Sequence, residues 1–500
     1  MHRFFVPVLI AFCALPLFGQ NLLNNPGFEN SSSWLKPAYW AGKFSIVKPG
    51  LTGKSCGELK AAREGKAFYG RCYQLARIDS PWGRRFSYSM KARGSGELYL
   101  GCLEYTKDSQ DKIVSKLIYS APLVLKKEEW QEIKMNIQST EPTLIRFAPL
   151  IEVRGENAAA YLDEGSLVYS PAPGAAMSVS PAHLVAEDGK PLPEVAFRLT
   201  ENGKPVPDAA LKAFLGGKLQ DSATDRDGRF VVRPGDKDSE LLVSAVKYGV
   251  AADVFIDRLS PAAWNRTDGL ARKIKLEKPV SILYLGDSLS DFERGRNYAD
   301  KVNFWLNRYH PGKAAFRNAG VGGDYITRVR QRMIQGGAYR QEQYDRLLET
   351  PYDYIFIFLG HNDTRCLSTK NYEVPQVTPE EQKTAYREVI GHLRKHSKAR
   401  IVLVSPTSSN FEVCKQSADK QKALDKVHAL FGQPAMLEAF DAVLRQLAEE
   451  ENLDYLDVYA PMKNEAEKAA LFSPSDGVHL TEAGNRFLTD LFLEYLASPK

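Results

Sequence analysis

Hydrophobic and polar positions fall into two regimes along the chain. From residue 21 to about 171, short alternating runs separated by turn residues, at 22–23, 44–46, 86–88, 97–100, 113–118, 132–135, 144–147 and 161–168, predict many short strands and no amphipathic helix. That pattern reads as an all-β sandwich. A Pro/Gly/Ala linker at 172–176 leads to a second β region, 177–258, with runs at 194–200, 210–214, 230–232 and 241–246 between GKPVPD and TDRDGR turns. From about residue 273 the period changes. Strands predicted at 280–285, 314–318, 354–359, 400–405 and 454–458 alternate with helices predicted at 297–309, 323–335, 379–397, 418–430, 436–451 and 481–496. Such a βα series implies a parallel sheet covered on both faces.

Within that series the stretch PVSILYLGDSLSD, 279–291, stands out. Its nearly continuous apolar run ends at Gly286 and reads as a central strand buried on both sides. Ser288 follows where a strand hands over to a loop or helix. Parallel sheets carry their chemistry at the carboxyl ends of strands, so Ser288 is a candidate nucleophile that needs a base elsewhere in the chain.

The 500 residues are too many for one ordinary core and suggest two or three domains. With 44% hydrophobic and 25% charged residues the chain reads as a folded soluble protein, and its formal charge of +5, spread without a dense basic block, gives nucleic-acid binding little support. Residues 1–20 have the layout of a cleaved secretory signal peptide: Arg3, then an apolar stretch broken by Pro7 and Pro16. Phe12 before Cys13 argues against a lipid-attachment signal, and nothing later reaches membrane-spanning length. Secretion or a periplasmic location follows as an expectation. Beyond the signal lie Cys56, Cys72, Cys102, Cys366 and Cys414, an odd set that allows two disulfides and one free thiol. Cys366 with Cys414 and Cys56 with Cys72 are possible pairs that spacing alone does not decide. No CxxC or Cys/His cluster suggests a metal. Asp225, Asp227 and Gly228 sit in a calcium-loop-like string, but Ala223 and the missing glutamate favour an ordinary hairpin turn.

Four segments of the last region fit one reaction. They are Gly286-Asp287-Ser288-Leu289; Asn318-Ala319-Gly320-Val321-Gly322-Gly323-Asp324; Gly360-His361-Asn362-Asp363; and Asp476-Gly477-Val478-His479. Each falls at a predicted strand end or at the entry of the last helix, so all should converge on one rim. Together, and in this order, they resemble the SGNH hydrolases, also called GDSL esterases and lipases, over roughly residues 275–500. The resemblance implies an α/β/α domain with a parallel flavodoxin-like sheet. It also implies Ser288 as nucleophile, His479 as general base and then acid, and Asp476 as the group that orients the imidazole. The oxyanion hole would comprise the backbone N–H of Ser288, the backbone N–H of Gly323 and the side-chain amide of Asn362. No metal or cofactor is required. Each residue also has a plain structural alternative: Ser288 as a helix cap, Asp476 and His479 as surface or turn residues, Asn362 and Gly323 as turn positions. Asp287 is expected to bond loop backbone and Asp363 to support the Asn362 loop. His310, His361, His392, His396 and His428 are read as structural or surface groups.

The opening NLLNNPGFENSSSW and the closing AYLDEGSLVYS of the first β region resemble the opening and final strands of galactose-binding-like jelly rolls and several carbohydrate-binding modules, and Trp34, Trp40, Trp82, Trp130 and several tyrosines are candidates for stacking on sugar rings, the alternative being that they are core, as most such residues in a β-sandwich are. Region 177–258 looks like a small immunoglobulin-like or carboxypeptidase-regulatory-like module. The expected layout is therefore a signal peptide at 1–20, a jelly-roll sandwich at 21–171, a small β module at 177–258 and the hydrolase at 273–500. The expected function is a secreted esterase that removes acetyl or other small acyl groups from a polysaccharide or glycan, its partner being the acylated carbohydrate. A polar segment at 406–420, with Arg365 and Lys370, is expected to rim the site. A lipid esterase, lysophospholipase or thioesterase is the alternative within the enzyme class, and a non-catalytic glycan-binding protein the alternative outside it. Oligomeric state is not legible.

Overall fold

Among the described residues up to 171, alternation of apolar positions builds strands, as expected, but longer ones than the punctuation suggested. A computed structural model describes residues 21–23, 27–28, 41–42, 44–65, 67–74, 81–107, 113–141, 143–181, 183–236, 238–338, 340–423 and 427–498. The signal-peptide reading, Trp34 and Trp40 lie outside the described residues. Two antiparallel strands, Phe86–Lys107 and Leu144–Tyr169, pair along most of their length and replace the four short strands predicted at 86–88, 97–100, 144–147 and 161–168. The glycines that read as turns are bends within strands. Gly94 has φ +144°, and a Cβ there would lie 2.0 Å from the Ala159 carbonyl oxygen, so the strands approach in a way only glycine permits. Strands Cys56–Lys60 and Ala67–Tyr73 flank one side, and Ile113–Tyr119 and Gln131–Ile137 the other.

Phe28, Tyr88, Leu98, Leu100, Ile151, Val153 and Leu162 form the core of this region. Trp82 is buried against Leu242 and Ala251, which removes it as a sugar platform, and Trp130 is half-buried with the Arg93 guanidinium 5.2 Å from its ring. All five described cysteines are free thiols, so neither suggested pair forms. The sheet explains one case: Cys72 lies opposite Ile151, whereas Gly57, next to Cys56, lies opposite Leu162, well further along the same edge of that strand. Cys366 sits on a two-residue strand and Cys414 on a helix, each buried.

Among the described residues the chain divides into two units, 21–184 with 189–257, and 185–188 with 258–498. In the first, residues 175–257 carry two further sheets. One contains Ala175–Ser180, Val195–Glu201, Lys204–Pro205 and Arg229–Val232; the other contains Lys218–Ala223, Ala210–Leu215, Glu240–Ala245 and Val250–Leu259. The calcium-loop-like string is a turn in which Asp225 Oδ1 accepts from the N–H groups of Asp227 and Arg229. Its flanking strands join different sheets, so the turn links sheets and does not close a hairpin.

The second unit is built on five parallel strands in the order Ala314–Asn318, Val280–Gly286, Tyr354–Phe358, Arg400–Val404, Asp454–Leu456. Val280–Gly286, read from its sequence as a central strand, is second in this order, though buried on both faces: its Ile282 and Tyr284 point into a core shared with helices Pro261–Lys273, Tyr298–Tyr309 and Glu482–Ala497. Leu283 and Leu285 point into the opposite core, with helices Pro379–His396 and Pro434–Glu450. Each such side chain taken out of water contributes roughly 1.5–3 kcal/mol, which is why the run lacks polar alternation.

Two helices differ from expectation. Pro261–Lys273, capped by Ser260, lies where a boundary was read, because its sequence carries Asn, Asp, Gly and three basic residues on a largely exposed helix. The helix expected at 418–430 runs over Phe411–Lys422 and buries only Cys414 and Ala418, too few to give a period. No helix among the described residues is long and apolar enough to cross a membrane.

Candidate active site

Ser288 opens the short helix Ser288–Asp291 directly after strand Val280–Gly286. Asp287 caps it, its Oδ1 accepting from Leu289 N–H at 2.9 Å. The loop carrying His479 comes from 191 positions along the chain and is tied by backbone bonds, Ser473 N–H to the His479 carbonyl at 2.7 Å and Gly477 N–H to the Ser473 carbonyl at 2.9 Å. Asn410 N–H also donates to the Gly477 carbonyl at 2.8 Å. Gly477 is required here: its φ is +73°, and a Cβ would sit 2.3 Å from the Asn410 carbonyl oxygen.

These constraints bring Ser288 Oγ to 2.9 Å from His479 Nε2, and His479 Nδ1 to 2.9 Å from Asp476 Oδ2. Asp476 Oδ1 accepts from Val478 and His479 N–H, both at 2.9 Å, so the carboxylate is fixed by two amides while its other oxygen faces the imidazole. Burial alone would raise the Asp476 carboxyl, but the hydrogen bond and attraction to His479, aided by the two amides, bring it down to about 2. Phe292 lies flat against the His479 ring, centroids 4.8 Å apart and planes 21° apart, a contact that the sequence pattern did not signal.

Asn362 ends the third strand's loop and is buried, its Nδ2 donating to Asp287 Oδ2 at 3.3 Å. Asp287 therefore serves both the Ser288 turn and the Asn362 amide. Its own carboxyl is pushed up to about 6 by burial, against the Leu289 N–H. Asp363 accepts from Ile326 N–H at 2.8 Å through Oδ1, and burial pushes its carboxyl up to about 8. Gly323, with φ +83°, closes a loop held by ionic groups that motif reading passed over. Asp291 Oδ2 accepts from Gly322 N–H at 2.8 Å and from Arg340 at 2.6 Å, while Arg294 bonds Asp291 and the carbonyls of Asn318 and Gly320. The signal for Asp291 was present in GDSLSD, but its partners Arg294 and Arg340 have no fixed spacing that a motif would show.

The segment expected to rim the site turns inward at its start: Pro406 to Ser409 are buried, and Thr407 Oγ1 lies 2.8 Å from His361 Nε2. His361 is itself buried, which lowers its imidazole to about 4. Of the other histidines, His310 Nε2 lies 2.9 Å from the Ile274 carbonyl oxygen, His428 meets Tyr372, and His392 and His396 stack on each other. Among the described residues, no group of three or more His, Cys, Asp or Glu could hold a metal.

A serine, an imidazole and a carboxylate in hydrogen-bonded series at the carboxyl edge of a five-stranded parallel sheet place this unit among the α/β hydrolytic folds. Residues 284–487 match the GDSL-like lipase/acylhydrolase family, and that domain is therefore a hydrolase of ester bonds. No curated protein matches the chain. Among solved structures, a lipase/acylhydrolase from Enterococcus faecalis is 17% identical, over 44% of this chain and 98% of that one, with TM-score 0.32. A family 16 carbohydrate-binding module is 13% identical over 30% of this chain and 99% of that one, with TM-score 0.23. The xylan-binding domain CBM22-1 of Paenibacillus barcinonensis is 13% identical over 30% and 96%, with TM-score 0.24.

Proposed function

We propose that residues 273–500 are an SGNH-type serine esterase, on a flavodoxin-like sheet, that releases acetyl or other small acyl groups from a polysaccharide or glycan. The observation that carries this reading is the 2.9 Å contact of Ser288 Oγ with His479 Nε2, continued at 2.9 Å to Asp476. Ser288 Oγ attacks the ester carbonyl and passes its proton to His479 Nε2, while Asp476 holds the imidazole with Nδ1–H towards itself. The negative charge on the carbonyl oxygen is met by the N–H groups of Ser288 and Gly323 and by the Asn362 amide. Collapse expels the sugar hydroxyl, protonated by His479, and leaves an acyl-Ser288. Water, deprotonated by the same imidazole, then frees the acid.

Support for a glycan comes from the N-terminal sheet. One of its faces carries Tyr69, Tyr99 and Tyr119 with Arg71 and Arg154, arranged about the buried Glu152, which accepts from Arg71, Arg154 and Tyr119. Planar groups with fixed donors suit sugar hydroxyls and ring faces. We assign this face, in a jelly roll at 21–171, the task of keeping the polymer close by tethering, with 177–258 as an immunoglobulin-like or carboxypeptidase-regulatory-like spacer. The opening twenty residues fit export. Ser288→Ala tests the chemistry: hydrolysis of p-nitrophenyl acetate should nearly vanish while circular dichroism is unchanged, and undiminished activity overturns the reading. Acetate release from acetylated glycans, measured beside long-chain esters, tests the substrate; preference for long chains overturns the carbohydrate assignment.

A further inference from the structure

The segment 292–297 reaches both halves of the site. It leaves the short helix that Ser288 opens and leads into helix Tyr298–Tyr309. Phe292, its first residue, lays its ring on the His479 imidazole, with centroids 4.8 Å and planes 21° apart. Arg294 donates to the carbonyls of Asn318 and Gly320, each at 2.8 Å, in the loop that carries Gly323. Hydrogen bonds hold the segment at both ends. Phe292 N–H donates to the Ser288 carbonyl at 2.9 Å, and Asn297 Nδ2 donates to the carbonyls of Ser290 at 2.7 Å and Phe292 at 3.1 Å. Asp300 Oδ2 accepts from Gly295 N–H at 2.7 Å and from Asn297 N–H at 3.2 Å. Between these anchors Glu293 holds φ +55°, a left-handed conformation that is strained for a residue with a Cβ and persists only where its surroundings over-determine it. The strain sits directly beside the residue that touches the imidazole.

That contact falls on the group that changes charge during the reaction. When Ser288 Oγ attacks, its proton moves to His479 Nε2 and the ring becomes an imidazolium; the proton then passes to the departing hydroxyl oxygen. Ser288 at Nε2 and Asp476 at Nδ1, each at 2.9 Å, hold the imidazole by opposite edges and leave rotation about the line between them open. A flat ring against its face closes that freedom, and the negative π face attracts the cation more than the neutral imidazole. Other charges that act on the imidazole belong to Asp476, Asp287 and His361, the last uncharged at neutral pH because burial lowers it to about 4. On the segment itself Arg294 meets Asp291 at 3.0 Å and Arg296 meets Glu293 at 3.6 Å, so each cation faces a carboxylate. We propose that Phe292 is a positioning residue of the reaction, its ring fixing the plane of the His479 imidazole against Ser288 and favouring the imidazolium formed during attack. This rests on the serine-esterase reading and adds to that site a residue that lies outside its four motifs.

The test places phenylalanines carrying one, two and three ring fluorines at position 292 of the full-length protein, a series that keeps the ring's shape while weakening its π face. kcat for p-nitrophenyl acetate should fall stepwise, by about two- to tenfold over the series, with KM nearly constant and the melting temperature unchanged. Phe292→Leu, which keeps apolar bulk without a π face, should lower kcat by a similar factor and move the acid limb of kcat/KM to lower pH by about half a pH unit. Phe292→Tyr should stay within about twofold of wild type, and Phe292→Ala, which also lets the imidazole tip, should lose about 10²-fold. A kcat that stays flat across the fluorine series, or Phe292→Leu with wild-type kcat and an unmoved acid limb, overturns the inference, since packing alone would then account for the contact. Loss of hydrolysis in Ser288→Ala together with a flat fluorine series defeats this inference alone, whereas hydrolysis that survives Ser288→Ala defeats the esterase reading beneath it.

Discussion

Replacing Asp476 by Asn isolates the electrostatic part of the site from its scaffold. Oδ1 of Asp476 accepts two backbone N–H groups, and an Asn carbonyl oxygen can accept both, so the loop keeps its anchors. What changes is the oxygen 2.9 Å from His479 Nδ1, replaced by an NH2 group that has nothing to accept with. Two effects then add. The attraction between the carboxylate and the imidazolium formed during attack is about 4 kcal/mol for unit charges some 4 Å apart at an effective dielectric of about 20. With 34% and 35% of the two side chains exposed, that figure is discounted to about 2 kcal/mol. The amide also favours the imidazole tautomer protonated on Nε2, which cannot take the Ser288 proton; in serine hydrolases the comparable change lowers kcat by about 10⁴. We expect kcat for p-nitrophenyl acetate to fall by at least about 10⁴, with KM nearly constant and the melting temperature close to wild type. A loss of kcat below about tenfold, with the fold intact, would refute the role given to Asp476.

On the proposed mechanism Asn362→Ala takes away one oxyanion donor and should lower kcat by about 10²–10³ with little change in KM; an unchanged kcat removes Asn362 from the hole. Asp363 gives a pH prediction. Burial raises its folded value to about 8 against an ordinary carboxyl in the unfolded chain, so the native state holds the extra proton between about pH 4 and 8. Its contribution is therefore intact at low pH and declines as pH rises towards 8, by about 1.4 kcal/mol per pH unit. Chemical denaturation should show wild type losing stability relative to Asp363→Asn across that range, and parallel curves would refute the assignment.

What could be read from the sequence was whatever is local. The apolar run 280–285 announced a strand buried on both faces because each residue obeys the same burial rule, and GDSL, GHND and DGVH lie at chain positions where strand ends were legible. The long strands Phe86–Lys107 and Leu144–Tyr169 were broken into four because Gly94 and Gly155 carry the same signal in a bend as in a turn. Helix Phe411–Lys422 was misplaced because two buried residues cannot set a period. The stack of Phe292 on His479 and the grip of Arg340 on Asp291 join residues with no fixed spacing, and only folding pairs them.

The same distinction bears on how the site works. The groups proposed to react sit on short segments whose backbones are tied in place: Ser288 by the strand and the Asp287 cap, His479 by Ser473 and by Asn410 through Gly477, and the Gly323 loop by Asp291. Carboxylates also tie the segments to one another: Asp291 of the Ser288 helix accepts from Gly322 N–H, Asp363 of the Asn362 loop accepts from Ile326 N–H, and Asp287 serves Leu289 N–H and the Asn362 amide together. Since burial holds that carboxyl near 6, its protonation in mild acid would weaken the grip on Asn362 while leaving the 2.9 Å Asp476–His479 contact intact. On the proposed mechanism, oxyanion stabilisation and general-base catalysis then depend on different titrating groups, and a kcat–pH profile of Asn362→Ala should lose an acid-side component that Asp476→Asn retains.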